Sequence, residues 1–284
     1  MLNVRAIKEL VRQYNLGISP RRLGQHFLVD PKALTRIAQV VGATADDRIL
    51  EIGAGLGALT EALVQTGAFL YAVERDPRFV QILNDRFQDH PKLQIIRSDI
   101  LQMDLSPYAA TPKSLLVVGN IPYSMTSPIL EFLLAQRQWV KRAVLTVQKE
   151  VADRIVASPG TKAYSSITLL VAVAFKPRIA FTIHPGAFYP QPKVTSAILR
   201  LDPLPEPVVP PEEEEAVLKL VRRIFTYRRK TLLNALSTGG IDLSRESILE
   251  RLKAAQIDPT RRPETLALPE ARTLHRCLST LIKS

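Results

Sequence analysis

Through the first two thirds of the chain, short apolar runs alternate with stretches of helical periodicity, and no other feature restricts the fold as much. Arg48 to Ile52 (RILEI) reads as a buried strand, followed by a glycine turn and a helix through Leu59, Leu63 and Val64. Ala68 to Glu74 is a second strand, with a helix from Pro77 to about Phe87 behind it. Leu93 to Arg97 and Ser114 to Val118 are the third and fourth, and Val140–Val147, Ile167–Phe175 and Thr195–Leu201 supply later ones. Strands separated by helices predict an α/β architecture, a mostly parallel sheet covered on both faces. Ligands of such sheets sit beyond the carboxyl ends of the strands. The chemistry is therefore expected just after Glu51, Val73, Ile96 and Val118.

The pattern breaks at Asp202 to Glu215 (DPLPEPVVPPEEEE), where five prolines stiffen the chain and deny it a regular ladder. The glutamates after them suit the positive end of a helix dipole and read as a solvated helix start. Val217, Leu220, Val221 and Ile224 then share one helical face. Leu232, Leu233 and Leu236 continue a helical pattern, with further helices expected near 244–254 and 269–282. The domains expected are thus 1–204, with a lead-in over 1–22, and a small all-helical domain over 205–284.

With 38 Lys and Arg against 27 Asp and Glu, the chain carries +11, which favours a polyanionic partner through counterion release. Its single cysteine, Cys277, excludes internal disulfides and cysteine-rich zinc sites. The four histidines lack ligand spacing, so no metal is expected. Met1 to Gly17 lacks the continuous apolar core of a signal peptide, and no stretch approaches the roughly 20 apolar residues of a membrane span. A cytoplasmic protein without a membrane partner is expected, with a monomer as the default.

Glu51-Ile52-Gly53-Ala54-Gly55-Leu56-Gly57 lies between the first strand and its helix. Glycines there let the backbone approach a ligand and adopt turns closed to other residues. Gly53, Gly55 and Ala58 also satisfy a dinucleotide pattern, and Glu74 stands at the end of strand two, where an acid holds ribose hydroxyls in either class. The loop specifies an adenosine-containing cofactor and leaves a nicotinamide-dependent oxidoreductase open. Asp99, at the end of strand three, is placed to accept from an adenine amine, and is equally a candidate cap for the next turn.

Strand four ends in Gly119-Asn120-Ile121-Pro122-Tyr123. An adenine N6 is a poor nucleophile because its lone pair is delocalised into the ring. Two acceptors gripping its N–H bonds pyramidalise it, and the Asn120 amide oxygen with a backbone carbonyl near Ile121 are suited to this. Pro122 sets its own φ and biases Ile121 towards extended geometry. Tyr123 offers a face on which a base can stack, worth about 1–3 kcal/mol. Such a site works by positioning and electrostatics. A lone proline turn closing a strand is the competing reading, weakened by the glycine loop and the two acids that precede it in order.

With Gly24-Gln25-His26-Phe27-Leu28 and Phe188-Tyr189-Pro190-Gln191-Pro192-Lys193-Val194 added, the chain resembles the ribosomal RNA adenine N6,N6-dimethyltransferases over nearly its whole length, most closely the bacterial small-subunit (16S) branch. That resemblance implies a Rossmann-like fold using S-adenosylmethionine. In the family the Gln-Asn-Phe-Leu segment covers the cofactor, which implies roles for His26 and Leu28; His26 stands where the family usually has Asn. Gly53 and Gly55 are then expected against the cofactor, Glu74 on its ribose and Asp99 on its adenine amine. Phe188 is expected to sandwich the target base opposite Tyr123, although two adjacent aromatics leave open which one stacks. Arg222, Arg223, Arg228, Arg229 and Lys230, clustered with Phe225 and Tyr227, are expected to contact RNA phosphates, with Arg21 and Arg22 adding to them. The rival within the family is the antibiotic-resistance type acting on large-subunit (23S) rRNA; Ser127-Pro128 and the long lead-in favour the small-subunit branch.

Overall fold

The computed structural model describes residues 2–14, 16 and 26–279. The strands are β1 (Phe27–Leu28), β2 (Arg48–Ile52), β3 (Phe69–Glu74), β4 (Leu93–Arg97), β5 (Leu115–Gly119), β6 (Val140–Gln148), β7 (Phe175–Ile183), β8 (Phe188–Tyr189) and β9 (Ser196–Pro203). The helices are α1 (Val4–Gln13), α2 (Pro31–Val41), α3 (Ala58–Val64), α4 (Pro77–Phe87), α5 (Thr126–Ala135), α6 (Lys149–Ile155), α7 (Ser166–Ala172), α8 (Pro211–Thr226), α9 (Leu232–Thr238), α10 (Arg245–Ala254) and α11 (Leu268–Ser279). The expected helix over 269–282 is therefore seen to Ser279, and its last residues lie outside the described ones, as do Arg21, Arg22, Gly24 and Gln25.

Seven strands form one sheet in the order β4-β3-β2-β5-β6-β9-β7. β2 pairs parallel with β3 and β5, β3 with β4, and β5 with β6, whereas β9 runs antiparallel to β6. Chain order reverses between β2 and β5, so their carboxyl ends flank the crevice where such sheets bind ligands. A separate two-stranded ribbon pairs Phe27 with Tyr189 and Leu28 with Phe188. The central strands are buried on both faces, as the unbroken apolar runs require: Leu115, Leu116, Val117 and Val118 are all fully buried.

Helix α2 packs Ala33, Leu34, Ile37 and Val41 inward at helical spacing, with Asp30 capping it by accepting from the Lys32 amide at 2.9 Å. Lys32 and Arg36 consequently project from its exposed side.

One expected strand is a helix. In place of an extended Ile167–Phe175, Ser166–Ala172 forms α7, and the strand begins only at Phe175. A short run that is apolar save for Thr168 has no period to separate the two forms. The Ser165 amide bonds the Thr168 hydroxyl at 3.1 Å as half of a capping box, which nucleates the helix.

Two compact units result, Met1–Ala152 with Pro177–Pro203, and Asp153–Lys176 with Leu204–Ser284. The boundary after Pro203 lies within one residue of the one expected. The segment Asp153–Lys176, expected in the first domain, belongs instead to the helical unit. There Tyr164 donates its hydroxyl proton to the Leu266 carbonyl at 2.9 Å, and the Gly160 amide donates to Glu264 O at 2.7 Å. Residues Thr168 to Val171 of α7 are buried within that unit.

The glutamates at the start of α8 are not merely solvated. Glu213 accepts from Arg272 at 2.8 Å and from Arg276 at 2.5 Å, which pulls its carboxyl down to about 2, and Glu214 is buried.

Candidate active site

A cavity of about 320 Å³ opens at the carboxyl ends of β2, β3, β4 and β5, lined by His26, Leu28, Gly53, Gly55, Glu74, Asp99 and Asn120 through Tyr123, among others. Every residue expected on the cofactor is thus brought to one place. The β2–α3 turn carves it. Gly53, Gly55 and Gly57 all take positive φ (68°, 54° and 79°). A side chain on Gly53 would extend into open space, whereas one on Gly57 would lie 2.6 Å from the Phe87 ring. Gly53 keeps room clear for a ligand, and Gly57 lets α3 pack against α4.

Glu74 is buried yet held almost wholly by the backbone. Its Oε1 accepts from the amides of Arg75 (2.7 Å) and Asp76 (2.8 Å), and its Oε2 accepts from Gly55 at 2.9 Å. A carboxylate has about four acceptor positions, so one remains for a ligand hydroxyl. Asp99 fills one of the two roles the sequence left open, that of a cap. Its Oδ1 caps the turn at Leu101 N (3.1 Å), while Oδ2 faces Arg75 at 3.2 Å on the cavity wall.

Asn120 is set by its neighbours. Its Nδ2 donates to the His26 carbonyl at 3.0 Å, which turns Oδ1 away as the acceptor it can offer to the cavity. The Pro122 carbonyl accepts from Met125 N at 2.8 Å, while no hydrogen bond among the described residues engages the Ile121 carbonyl. Pro122 (φ −57°, ψ 134°) ends the strand and starts a single 3-10 turn over Tyr123–Met125. The Tyr123 hydroxyl meets the fully buried Ser196 Oγ at 2.7 Å, and burial pushes its pKa up, so the phenol stays neutral and its ring stays put.

His26 reaches the site through its backbone carbonyl, so the departure from Asn costs that contact nothing. Its Nδ1 lies 2.7 Å from the Pro190 carbonyl; a carbonyl only accepts, so Nδ1 carries the proton. Its ring centroid lies 5.8 Å from that of Tyr123, with the planes 31° apart. Leu28 is buried and also lines the cavity.

Phe188 is the exception. It is only 4% exposed, packs in the core with Leu28 and Ile183, and is not among the residues lining the cavity. Pairing β8 with β1 turns its side chain inward. Tyr189, half-buried, has the Lys8 ammonium 5.8 Å over its ring.

Glu51, Thr60, Arg75 and Ser196 are site features that sequence reasoning passed over. Glu51 is fully buried and lines the cavity; burial pushes its carboxyl up to about 7, the Glu74 charge adds to this, and the Thr60 hydroxyl at 2.6 Å opposes it. An acid between apolar residues of the strand, Leu50 and Ile52, was the available signal. Ser196 carried none.

In the helical unit the basic cluster divides. Arg228 pairs with Glu264 at 2.8 Å and donates to the Lys162 carbonyl at 2.5 Å, so it is held by the fold. Lys230 donates to Thr238 Oγ1 at 3.1 Å and sits over the Tyr227 ring. Arg223 is half-buried, its Cγ 2.9 Å from where a side chain on Gly239 would begin. Arg222 and Arg229 are exposed.

Residues 19–268 match the family model described as ribosomal RNA adenine dimethylase. The chain belongs to that family. It is 43% identical over 268 residues to the ribosomal RNA small subunit methyltransferase A of Geobacter metallireducens, covering 93% of this chain and 98% of that one. The protein of the same name from Geobacillus thermodenitrificans is 38% identical, with 97% and 96% covered. Among solved structures, a dimethyladenosine transferase from Plasmodium falciparum superposes with a TM-score of 0.73 at 25% identity, over 88% of this chain and 96% of that one. The 23S rRNA methyltransferase ErmE gives 0.67 at 26%, over 89% and 100%. The Rossmann-like methyltransferase fold and membership of the adenine dimethylase family decide between the two cofactor classes that the glycine loop left open: the chain is a methyltransferase, not a nicotinamide-dependent oxidoreductase. Among the described residues, no helix is long and apolar enough to cross a membrane.

Proposed function

We propose that this enzyme methylates N6 of two adjacent adenines near the 3′ end of small-subunit (16S) rRNA, giving N6,N6-dimethyladenosine during subunit maturation, with S-adenosylmethionine as donor. The Asn120 side chain supports this reading most directly, because the His26 carbonyl claims its N–H and leaves Oδ1 to accept. S-adenosylmethionine supplies a methyl group on a sulfonium. The residues present fit it: Gly53 leaves open space, Glu74 keeps an acceptor for a ribose hydroxyl, and Asp99 stands at the next strand end.

Asn120 Oδ1 and the Ile121 carbonyl would take the two N6 protons as hydrogen bonds, localising the nitrogen lone pair. The Tyr123 ring, anchored through Ser196, gives the base a face to stack on. Held in that geometry, the amine needs no change in the protein at the moment of reaction. Each transfer would form one N6–methyl bond as the donor's sulfur–methyl bond breaks, leaving a neutral thioether, and would release one N6 proton to water. Exposed Arg222 and Arg229 would position the RNA through its phosphates.

Relatives between 35% and 43% identical carry the small-subunit name, which supports that branch. The structural likeness to ErmE keeps the large-subunit substrate as the second reading. The two separate on incubation with each ribosomal subunit lacking N6 methylation, labelled cofactor, and mapping of the modified adenines. Label in 16S rRNA is expected; label only in 23S rRNA overturns the proposal.

A further inference from the structure

A second depression, of about 460 Å³, lies between α2 and the end of β7, bounded by Lys32, Arg36, Phe181 and His184. Its central feature is a guanidinium stacked on a ring: Arg36 Cζ sits 4.1 Å from the Phe181 centroid. Stacking occupies one face of the guanidinium and leaves its N–H edge directed outward. Lys32 and Arg36 are both exposed, and no carboxylate among the described residues pairs with either. Among the described residues the one acid lining the groove, Asp30, is engaged in capping α2 through the Lys32 amide. An arginine held by a neutral ring, with no acid on its fork, is preorganised for an anion it has yet to meet.

The groove is tied to the active site by the β1–β8 ribbon. At one end His26 holds Asn120; beyond Leu28 and Phe188, Val29 N donates to the Ala187 carbonyl at 2.8 Å, and both Val29 and Ala187 line the groove. The span from residue 26 to residue 29 is about 10 Å at roughly 3.3 Å per extended residue. Phosphates recur about every 3.4 Å of rise along one strand of a helix, so a flank of a few nucleotides bridges that gap.

We infer that this groove binds the phosphodiester backbone of the rRNA flanking the target adenine, with the Arg36 guanidinium clasping a phosphate and Lys32 adding a second positive charge. This rests on the RNA-adenine reading above. The contact is made by the catalytic unit itself and is independent of the cations in the helical unit.

The test uses the full chain and small subunits lacking N6 methylation, with Lys32→Ala/Arg36→Ala, Arg36→Lys and Phe181→Leu. The double variant is expected to raise KM for RNA roughly ten-fold while kcat and KM for S-adenosylmethionine stay within about two-fold. Its log-affinity against log-salt slope should be shallower by about 0.7–0.9 for each phosphate that is no longer neutralised. Arg36→Lys keeps charge without the planar fork and should fall between wild type and the double variant. Phe181→Leu should do the same, because it removes the platform and leaves the cation. RNA binding is measured separately from turnover by fluorescence anisotropy. Wild-type affinity and salt slope in the double variant overturn the inference even where wild type methylates 16S rRNA. Should wild type bind RNA but methylate none, the substrate proposal fails and the groove is still judged on binding. Absence of RNA binding by wild type overturns both.

Discussion

The buried acids of the active-site cavity and the acids of the helical unit are held in opposite ways. In the catalytic unit, Glu51 and Glu74 are held by neutral donors, a threonine hydroxyl and three backbone amides, and both line a cavity. In the helical unit, acids are consumed by arginines: Glu213 by Arg272 and Arg276, Glu264 by Arg228, Glu270 by Arg261. A charge held by neutral groups keeps its field for a ligand, whereas a charge paired with its opposite is part of the scaffold. By that criterion Arg228 is scaffold, although the sequence grouped it with the RNA-binding cations. Arg36, held by a ring, is not.

The largest expected effect tests the neutral hold on Asn120. Asn120→Ala should lower kcat by at least roughly 100-fold, with cofactor affinity by calorimetry nearly unchanged. Ordinary turnover in that variant removes Asn120 from the reaction.

The next effect contrasts Glu51 with Glu213 across pH. Glu51 has its pKa raised from 4.5 to about 7, so the folded state binds the extra proton. In cofactor-free protein its contribution is therefore most favourable at low pH, and stability falls as pH rises from about 4.5 to about 7, by about 3 kcal/mol at most. Glu51→Gln should flatten that segment of the stability curve. Glu213 is depressed to about 2, so its contribution is present above about 4.5 and fades as pH falls towards 2. Chemical denaturation at stepped pH measures both, and a Glu51→Gln curve parallel to wild type from pH 5 to 7 would refute the assignment.

The two glycines of the turn should separate stability from binding. Gly57→Ala puts a Cβ 2.6 Å from Phe87 at φ +79° and should cost about 2–3 kcal/mol. Gly53→Ala meets nothing within 4 Å and should cost about 1–2 kcal/mol for its positive φ, while losing much more in cofactor affinity. Equal effects of the two on binding would mean that the turn acts only as a hinge for α3.

The smallest effects divide the basic cluster. Arg228→Ala should lower stability by about 1–2 kcal/mol, since it removes a partly shielded ion pair and the hydrogen bond to the Lys162 carbonyl. Arg229→Ala should change stability by less than about 0.5 kcal/mol and weaken RNA binding roughly three- to ten-fold with a flatter salt slope. An intact salt slope in Arg229→Ala would place the RNA face elsewhere.

By itself the sequence determined the parallel strands β2 to β6 and the crevice at their carboxyl ends. Strands such as RILEI and LQIIR are local patterns, and the residues just after each parallel strand must sit at its carboxyl edge, so Gly53, Glu74, Asp99 and Asn120 converge by topology alone. It also determined the motif Asn120-Ile121-Pro122-Tyr123, because proline's φ and the preceding residue's restriction are local physics. Tertiary structure decided everything that depends on partners distant in the chain. Whether α7 joins the helical unit or the sheet unit turned on long-range packing. Which way Phe188 faces turned on its pairing with Leu28, 160 positions earlier. Whether an arginine is scaffold or free to bind turned on Glu264 and Phe181, residues that no spacing rule connects to Arg228 or Arg36. Local pattern sets backbone course and strand ends; only the assembled chain assigns each charge its partner, because electrostatic pairing acts through space and not along the sequence.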